Sequence, residues 1–126
     1  VSTFRRLQES LKEDWVLKLN EVNKSKSFSL PIQKWQDIYQ LVILPNYKED
    51  EKILIETLES LKNAIYPKEK MIVVLACEER AGEERKKIAQ KLEKEYQKYF
   101  FKFLSTFHPA NIPGEAIGRG SNVSWA

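Results

Sequence analysis

Three short segments carry polar, charged and aromatic side chains that could contact a ligand, at residues 45–49, 77–80 and 113–122. Each follows a run of residues that predicts a β-strand. In open parallel sheets, ligands bind beyond the carboxyl ends of the strands, where helix amino termini direct their N–H groups at the ligand. We therefore expect the three segments to converge on one edge of a sheet.

The third segment places Arg119 between Gly118 and Gly120. Glycines let the backbone approach a ligand closely, and a neighbouring guanidinium supplies paired donors for phosphate oxygens. The segment is neither a Walker loop nor a dinucleotide fingerprint, because Gly-Lys-Ser/Thr does not occur at the right offset and the third glycine is missing. The pattern fits a phosphate-bearing ligand, and it equally fits a glycine-rich turn with a solvated arginine.

The first two segments offer groups that can contact a base or ribose. Tyr47 can stack on a nucleobase, or it can pack on the edge of the sheet as a loop tyrosine. Glu78 and Glu79 can accept hydrogen bonds from a base or a ribose. The alternative is that they form an acidic pair stabilised by the dipole at a helix amino terminus.

Two other kinds of site find little support in the sequence. Cys77 and His108 are the single cysteine and histidine, but Cys77 lies in an apolar run and the two residues follow different predicted strands. A nucleophilic pair would need them within hydrogen-bond reach. We expect no metal site, because the chain has no Asp-x-Asp pair and no cluster of metal-ligating side chains.

Hydropathy patterns predict the elements that would position these segments. Apolar or aromatic runs predict three buried strands, at residues 39–44, 71–76 and 100–107. Helical spacing predicts three helices: one that Asp50 caps and that ends near residue 65, one over residues 83–98, and one from residue 121 onwards. Alternating strands and helices predict a Rossmann-like α/β fold, a parallel sheet in β-α-β-α-β order with right-handed crossovers.

The amino-terminal part has a different character. Apolar residues three or four positions apart predict one amphipathic helix over residues 3–22, which packs on its own domain or binds a membrane surface or a partner helix. Residues 23–34 are polar and contain serine and proline, which predicts a linker. We therefore divide the chain into helix and linker at 1–34 and an α/β part at 35–126.

Composition narrows the class of protein. With 42% hydrophobic and 31% charged residues, the chain is typical of globular proteins. The net charge of +3 is small and dispersed, which argues against nucleic acid as a partner.

A lone cysteine favours a reducing compartment. Neither a signal peptide nor an apolar run of the roughly 20 residues needed to span a membrane is present. Because the chain starts at Val1 and ends inside a predicted helix, we interpret it as part of a longer protein.

Several of these segments together resemble a known family. Residues 41–49, LVILPNYKE, resemble the opening strand and the Pro-x-Tyr-x-Glu turn of family 2 glycosyltransferases with the GT-A fold. Residues 58–61, followed by Tyr66-Pro67 and the run at 70–75, are similar to the family's helix, its break and its second strand. Residues 119–126 are similar to a basic, asparagine-containing segment that opens a later helix. The resemblance covers residues 39–126.

The resemblance implies a truncated GT-A-type fold that binds a UDP- or GDP-linked sugar. Pro45, Tyr47 and Glu49 would hold the nucleobase and the ribose. Glu78 would replace the family's aspartate that contacts the base, since Ala76-Cys77-Glu78-Glu79 stands where the family has Asp-Asp.

The same resemblance assigns roles to the last segment and to parts outside this chain. Arg119 would face the diphosphate, with Asn122 nearby. The Asp-x-Asp that holds Mg²⁺ or Mn²⁺, the catalytic base and the site for an unknown acceptor would follow Ala126. We therefore expect the full-length enzyme to transfer a sugar with inversion at the cytoplasmic side, with membrane attachment through other parts. We expect this chain alone to be inactive.

Two alternatives to a glycosyltransferase remain. The same α/β plan suits a non-catalytic nucleotide-binding or protein-interaction module. A redox or acyl-transfer enzyme that uses Cys77 would require this thiol to be an exposed thiolate.

Overall fold

The computed structural model describes residues 2–24 and 34–126. They fall into two compact units, Val1–Ile38 and Tyr39–Ala126. The boundary expected after residue 34 lies a few residues before this division, and most of the expected linker at 23–34 lies outside the described residues. Within the described ranges, none of the helices has the length and apolar character needed to cross a bilayer.

The first unit contains two helices, α1 (Ser2–Ser10) and α2 (Trp15–Lys24), so the prediction of one continuous helix over residues 3–22 is wrong. A cap at Asp14 explains the break. Its carboxylate accepts a hydrogen bond of 2.9 Å from the Leu17 backbone N–H, which satisfies a free donor at the start of α2. The Trp15 indole also donates to the Ser10 carbonyl across the break, at 2.9 Å. The apolar residues of the predicted face are all exposed: Phe4, Leu7, Leu11, Trp15 and Leu19.

The second unit is built on a three-stranded parallel sheet of β1 (Gln40–Asn46), β2 (Met71–Glu78) and β3 (Lys102–His108), in the order β1-β2-β3. The predicted α/β class and parallel sheet are confirmed. Each strand extends one or two residues further than predicted at its carboxyl end. β1 continues through Pro45, opposite Ala76, because an edge strand tolerates the missing N–H of proline.

Three helices accompany the sheet: α3 (Glu51–Asn63), α4 (Glu83–Tyr96) and α5 (Arg119–Trp125). The predicted cap is confirmed, since the Asp50 carboxylate accepts a hydrogen bond from the Lys52 backbone N–H at 3.0 Å. α4 is shorter than the predicted helix over 83–98, because a 3₁₀ turn at Gln97–Tyr99 follows it. α5 begins two residues earlier than expected, at Arg119 instead of residue 121.

The core lies between β2 and the two longer helices. All residues of β2 except Ile72 are buried, and its odd-numbered residues Met71, Val73, Leu75 and Cys77 belong to one hydrophobic cluster. The same hydrophobic cluster contains buried residues of α3 and α4, which are Leu54, Leu58, Ala89, Leu92 and Tyr96. Because successive strand residues point to opposite faces, the even-numbered residues of β2 face away from these helices. α5 contacts all three strands.

A polar contact joins α3 to α4 beside this core. The buried Tyr96 donates its hydroxyl hydrogen to Glu59 Oε1 at 2.9 Å. Lys62 Nζ donates to both carboxylate oxygens of Glu59, at 2.9 and 2.8 Å. Burial and the neighbouring Glu59 carboxylate raise the pKa of Tyr96 to about 12. The phenol therefore stays protonated and available as a donor across the physiological pH range.

Candidate functional site

The candidate site lies at the carboxyl edge of the sheet, where the strands give way to loops. Tyr47 and Glu49 lie in the turn between β1 and α3, and Glu78 is the last residue of β2. Pro45 is near the end of β1. Arg119 and Asn122 lie in α5, whose contacts with all three strands bring it to the same edge. The six residues nominated from the sequence are thus neighbours of one edge, although they contact one another unequally.

Glu49 organises the turn that follows β1. Its Oε2 accepts the backbone N–H groups of Tyr47, at 2.6 Å, and of Lys48, at 3.1 Å. Partial burial acts to raise the pKa of Glu49, but these N–H donors and the positive charge of Arg119 outweigh it, so the pKa lies below its usual value. The backbone carbonyl of Glu49 also accepts a hydrogen bond of 2.8 Å from Arg85 of α4. The carboxylate is therefore engaged in holding Tyr47 in place.

Arg80 connects the first two segments, although the sequence only places it in the segment at residues 77–80 and assigns it no contact. Its guanidinium carbon lies 4.3 Å from the centre of the Tyr47 ring, in a cation–π contact. Its Nε donates to Glu78 Oε2 in an ion pair. Glu78 is buried, with 8% of its surface exposed, whereas the Arg80 side chain is about one-third exposed. The only sequence signal for Arg80 is its position two residues after Glu78, in the 3₁₀ turn Glu79–Ala81.

Asn122 attaches α5 to the middle of the sheet. It is 2% exposed, and its Nδ2 donates to the Ala76 carbonyl at 2.7 Å. Its Oδ1 has no hydrogen-bond partner among the described residues. Asn46, to which the sequence assigns no individual role, is equally buried at the end of β1, and its Nδ2 lies 3.6 Å from Cys77 Sγ. Polar side chains this deeply buried restrict how the strand ends and α5 can pack against one another.

A cavity of about 250 Å³ opens beside Glu78 and Arg80. His108, at the end of β3, and the loop at residues 109–118 form its other walls. His108 Nε2 lies 3.1 Å from Glu115 Oε2, so this contact holds the loop against the strand. The Trp125 ring meets the His108 imidazole edge-on, with 5.5 Å between ring centres. The cavity is therefore lined by two carboxylates, those of Glu78 and Glu115, together with a guanidinium and an imidazole.

Cys77 and His108 do not come together. In the sheet register Cys77 is opposite Phe107, and His108 is opposite Glu78. Because alternate residues point to opposite faces, Cys77 points towards the core and His108 away from it. Burial raises the pKa of the Cys77 thiol, while the hydrogen bond from Asn46 lowers it and the charge of Glu49 raises it further. A protonated, buried thiol is a poor nucleophile, which argues against redox or acyl-transfer chemistry at Cys77.

No family model, curated protein or solved structure matches the chain significantly. Among residues 2–24 and 34–126, no three His, Cys, Asp or Glu side chains are grouped so that they could hold a metal ion. The properties of the site therefore rest on its own chemistry: an aromatic ring, a buried carboxylate and two arginines around the end of a parallel sheet.

Proposed function

We propose that the Tyr39–Ala126 unit binds the nucleotide portion of a UDP- or GDP-linked sugar, as the donor-binding part of a family 2 glycosyltransferase of GT-A type. One observation carries the proposal. The Tyr47 ring and the Glu78 carboxylate both contact a single guanidinium, that of Arg80, and Glu78 and Arg80 line a cavity of about 250 Å³. An aromatic face beside a carboxylate suits a base that stacks and donates a hydrogen bond.

The remaining site residues are placed where they could contact the diphosphate and the ribose of such a ligand. Arg119 is exposed at the start of α5, and its charge acts on Glu49 in the turn after β1. A guanidinium in this position suits a diphosphate, whose oxygens accept paired N–H donors. Asn122 positions α5 through its bond to Ala76, so we propose that it acts by holding Arg119 in place. Pro45 and the Glu49-stabilised turn would shape the ribose side.

Catalysis would need further groups besides the described residues. In a full-length enzyme, a single displacement at the sugar needs a carboxylate base and stabilisation of the leaving diphosphate. The described residues have no group suited to hold Mg²⁺ or Mn²⁺, so a divalent ion that bridges the diphosphate would need ligands from elsewhere in the protein. We therefore assign neither the metal, the acceptor nor the transfer step to the described residues. The cytoplasmic side and a membrane-attached parent belong to the same proposal.

An NMR titration with UDP and GDP, with and without Mn²⁺, tests donor binding. We expect saturable shifts at Tyr47, Glu78 and Arg119, and the stronger ligand identifies the base. Tyr47→Ala should weaken binding by roughly tenfold, the loss expected for one base–aromatic stack. Lys87→Ala is a matched control, because it removes an exposed residue of α4. A folded chain that shows no shifts at millimolar nucleotide would contradict the proposal.

The engagement of Glu78 by Arg80 favours a second candidate, a nucleotide-binding or protein-interaction module without catalysis. A carboxylate already paired with a guanidinium is less available to a ligand than an unpaired carboxylate. A sugar-transfer assay on the full-length protein separates the two candidates. Transfer that requires the nucleotide sugar supports the enzyme, whereas nucleotide binding without transfer supports the module.

A further inference from the structure

One side chain occupies both groups that the proposed function assigns to the base. The Arg80 guanidinium lies over the Tyr47 ring, with 4.3 Å between its central carbon and the ring centre. The same guanidinium donates its Nε–H to the buried Glu78 carboxylate. A flat group over the Tyr47 ring that donates an N–H to Glu78 makes contacts of the kind that a bound base would make.

We propose that Arg80 is an internal ligand of the base subsite, which a nucleobase with a ring N–H donor must displace. This inference rests on the proposed function. A guanidinium is planar and donates in its own plane, as do uracil through its N3–H and guanine through its N1–H. Adenine and cytosine have a ring acceptor at the equivalent position, which a carboxylate repels. The subsite should therefore prefer uracil or guanine over adenine or cytosine.

The surroundings of Arg80 allow this exchange. Its side chain is about one-third exposed, whereas Glu78 is buried, so the arginine can leave towards solvent while the carboxylate stays. The cavity beside Glu78 and Arg80 provides space for the displaced group or for part of the ligand. Glu49 holds the backbone of Tyr47 independently of Arg80, so the turn that carries the ring stays in place when the guanidinium leaves.

Nucleosides test this inference, because they lack the phosphates that a freed arginine could bind. We expect Arg80→Ala to bind uridine or guanosine roughly tenfold more tightly than the wild type, since the guanidinium no longer competes for the Tyr47 ring and for Glu78. Lys48 Nζ, 5.0 Å from the centre of the Tyr47 ring, is present in both proteins and so does not contribute to the difference. Lys87→Ala, an equal loss of charge on the exposed side of α4, should leave the affinity unchanged. Arg80→Gln keeps most of the side-chain volume and should also bind more tightly, which provides a second variant if the alanine protein unfolds.

A second test of the same inference uses the unmodified protein and needs no variant. During a uridine or guanosine titration, the Arg80 Nε–H resonance should move together with the Tyr47 ring resonances as the ion pair to Glu78 opens. Wild-type binding with an unmoved Arg80 resonance, or equal or weaker binding by both Arg80 variants, would overturn the internal-ligand inference and leave the proposed function standing. Absence of nucleoside and nucleotide binding in all of these proteins would overturn both.

Discussion

Single buried side chains determine how the elements at the candidate site are held together. Asn122 is the clearest case, because one hydrogen bond of 2.7 Å joins α5 to the Ala76 carbonyl in the middle strand. α5 has only seven residues, too few for a helix to be stable in isolation. Its position, and with it that of Arg119, therefore depends on contacts such as this one.

Asn122→Ala should lower the free energy of unfolding by about 1–2 kcal/mol, because the Ala76 carbonyl loses a buried donor. Urea denaturation followed by circular dichroism measures the change. Ser124→Ala, an exposed substitution in the same helix, should have little effect. Equal stability of the Asn122 variant and the wild type would mean that this bond does not hold α5.

The reactivity of Cys77 tests whether its thiol is buried and protonated. Because burial raises the pKa of its thiol, we expect the folded protein to resist an alkylating reagent near neutral pH. The thiol should react at the rate of a free cysteine once urea unfolds the chain. Mass spectrometry at successive times provides the two rates. Fast labelling of the native protein would support an exposed, reactive thiolate at Cys77.

At the scale of elements, the best-defined helix boundary is the start of α3. Asp50 precedes the helix in an extended conformation, and its carboxylate accepts the Lys52 N–H. Asp50→Ala should destabilise the protein by about 1 kcal/mol, whereas Asp50→Asn, which retains a capping side chain, should be nearly neutral. Thermal or urea unfolding compares the two. Similar losses in both variants would indicate that charge, and not capping, matters at this position.

The contact between α3 and α4 predicts a pH dependence. Tyr96 has its pKa raised from 10.0 to about 12, so the folded state retains the phenolic proton more strongly than the unfolded state. The corresponding stability is fully present below pH 10 and is lost as the pH rises through about 12. We expect wild type to exceed Tyr96→Phe in stability below this window, with the difference shrinking through it. Paired urea titrations at several pH values measure the difference, and a constant difference would contradict the assignment.

For the molecule as a whole, the charge distribution determines how a phosphorylated ligand should respond to salt. The net charge is only +3, so long-range attraction is weak and local arginines dominate. We expect the Kd for UDP or GDP to rise roughly threefold between low and physiological ionic strength, because screening weakens exposed charge pairs. Binding of the matching nucleoside should hardly change. Isothermal titration at two salt concentrations tests this, and equal responses would place the diphosphate away from Arg119.

The overall plan of the second unit could be predicted from its sequence. Continuous apolar runs identified all three strands, and helical spacing together with the Asp50 cap identified α3 and most of α4. These signals are local, since burial on both faces of a strand or one face of a helix appears directly in residue order. Errors occurred where a local signal was ambiguous. The spacing over residues 3–22 suits one helix as well as two, and the cap at Asp14 was not recognised.

Side-chain partners within the candidate site depended on tertiary structure. The sequence nominated Tyr47 and Glu78, but only the fold brings Arg80 into contact with both. Likewise, Asn122 meets the Ala76 carbonyl across 46 positions of sequence, which no local pattern encodes. Residue order therefore determined which elements form and that their ends carry polar groups. Strand register and loop path decided which of those groups meet, because they alone determine the distances between residues far apart in the chain.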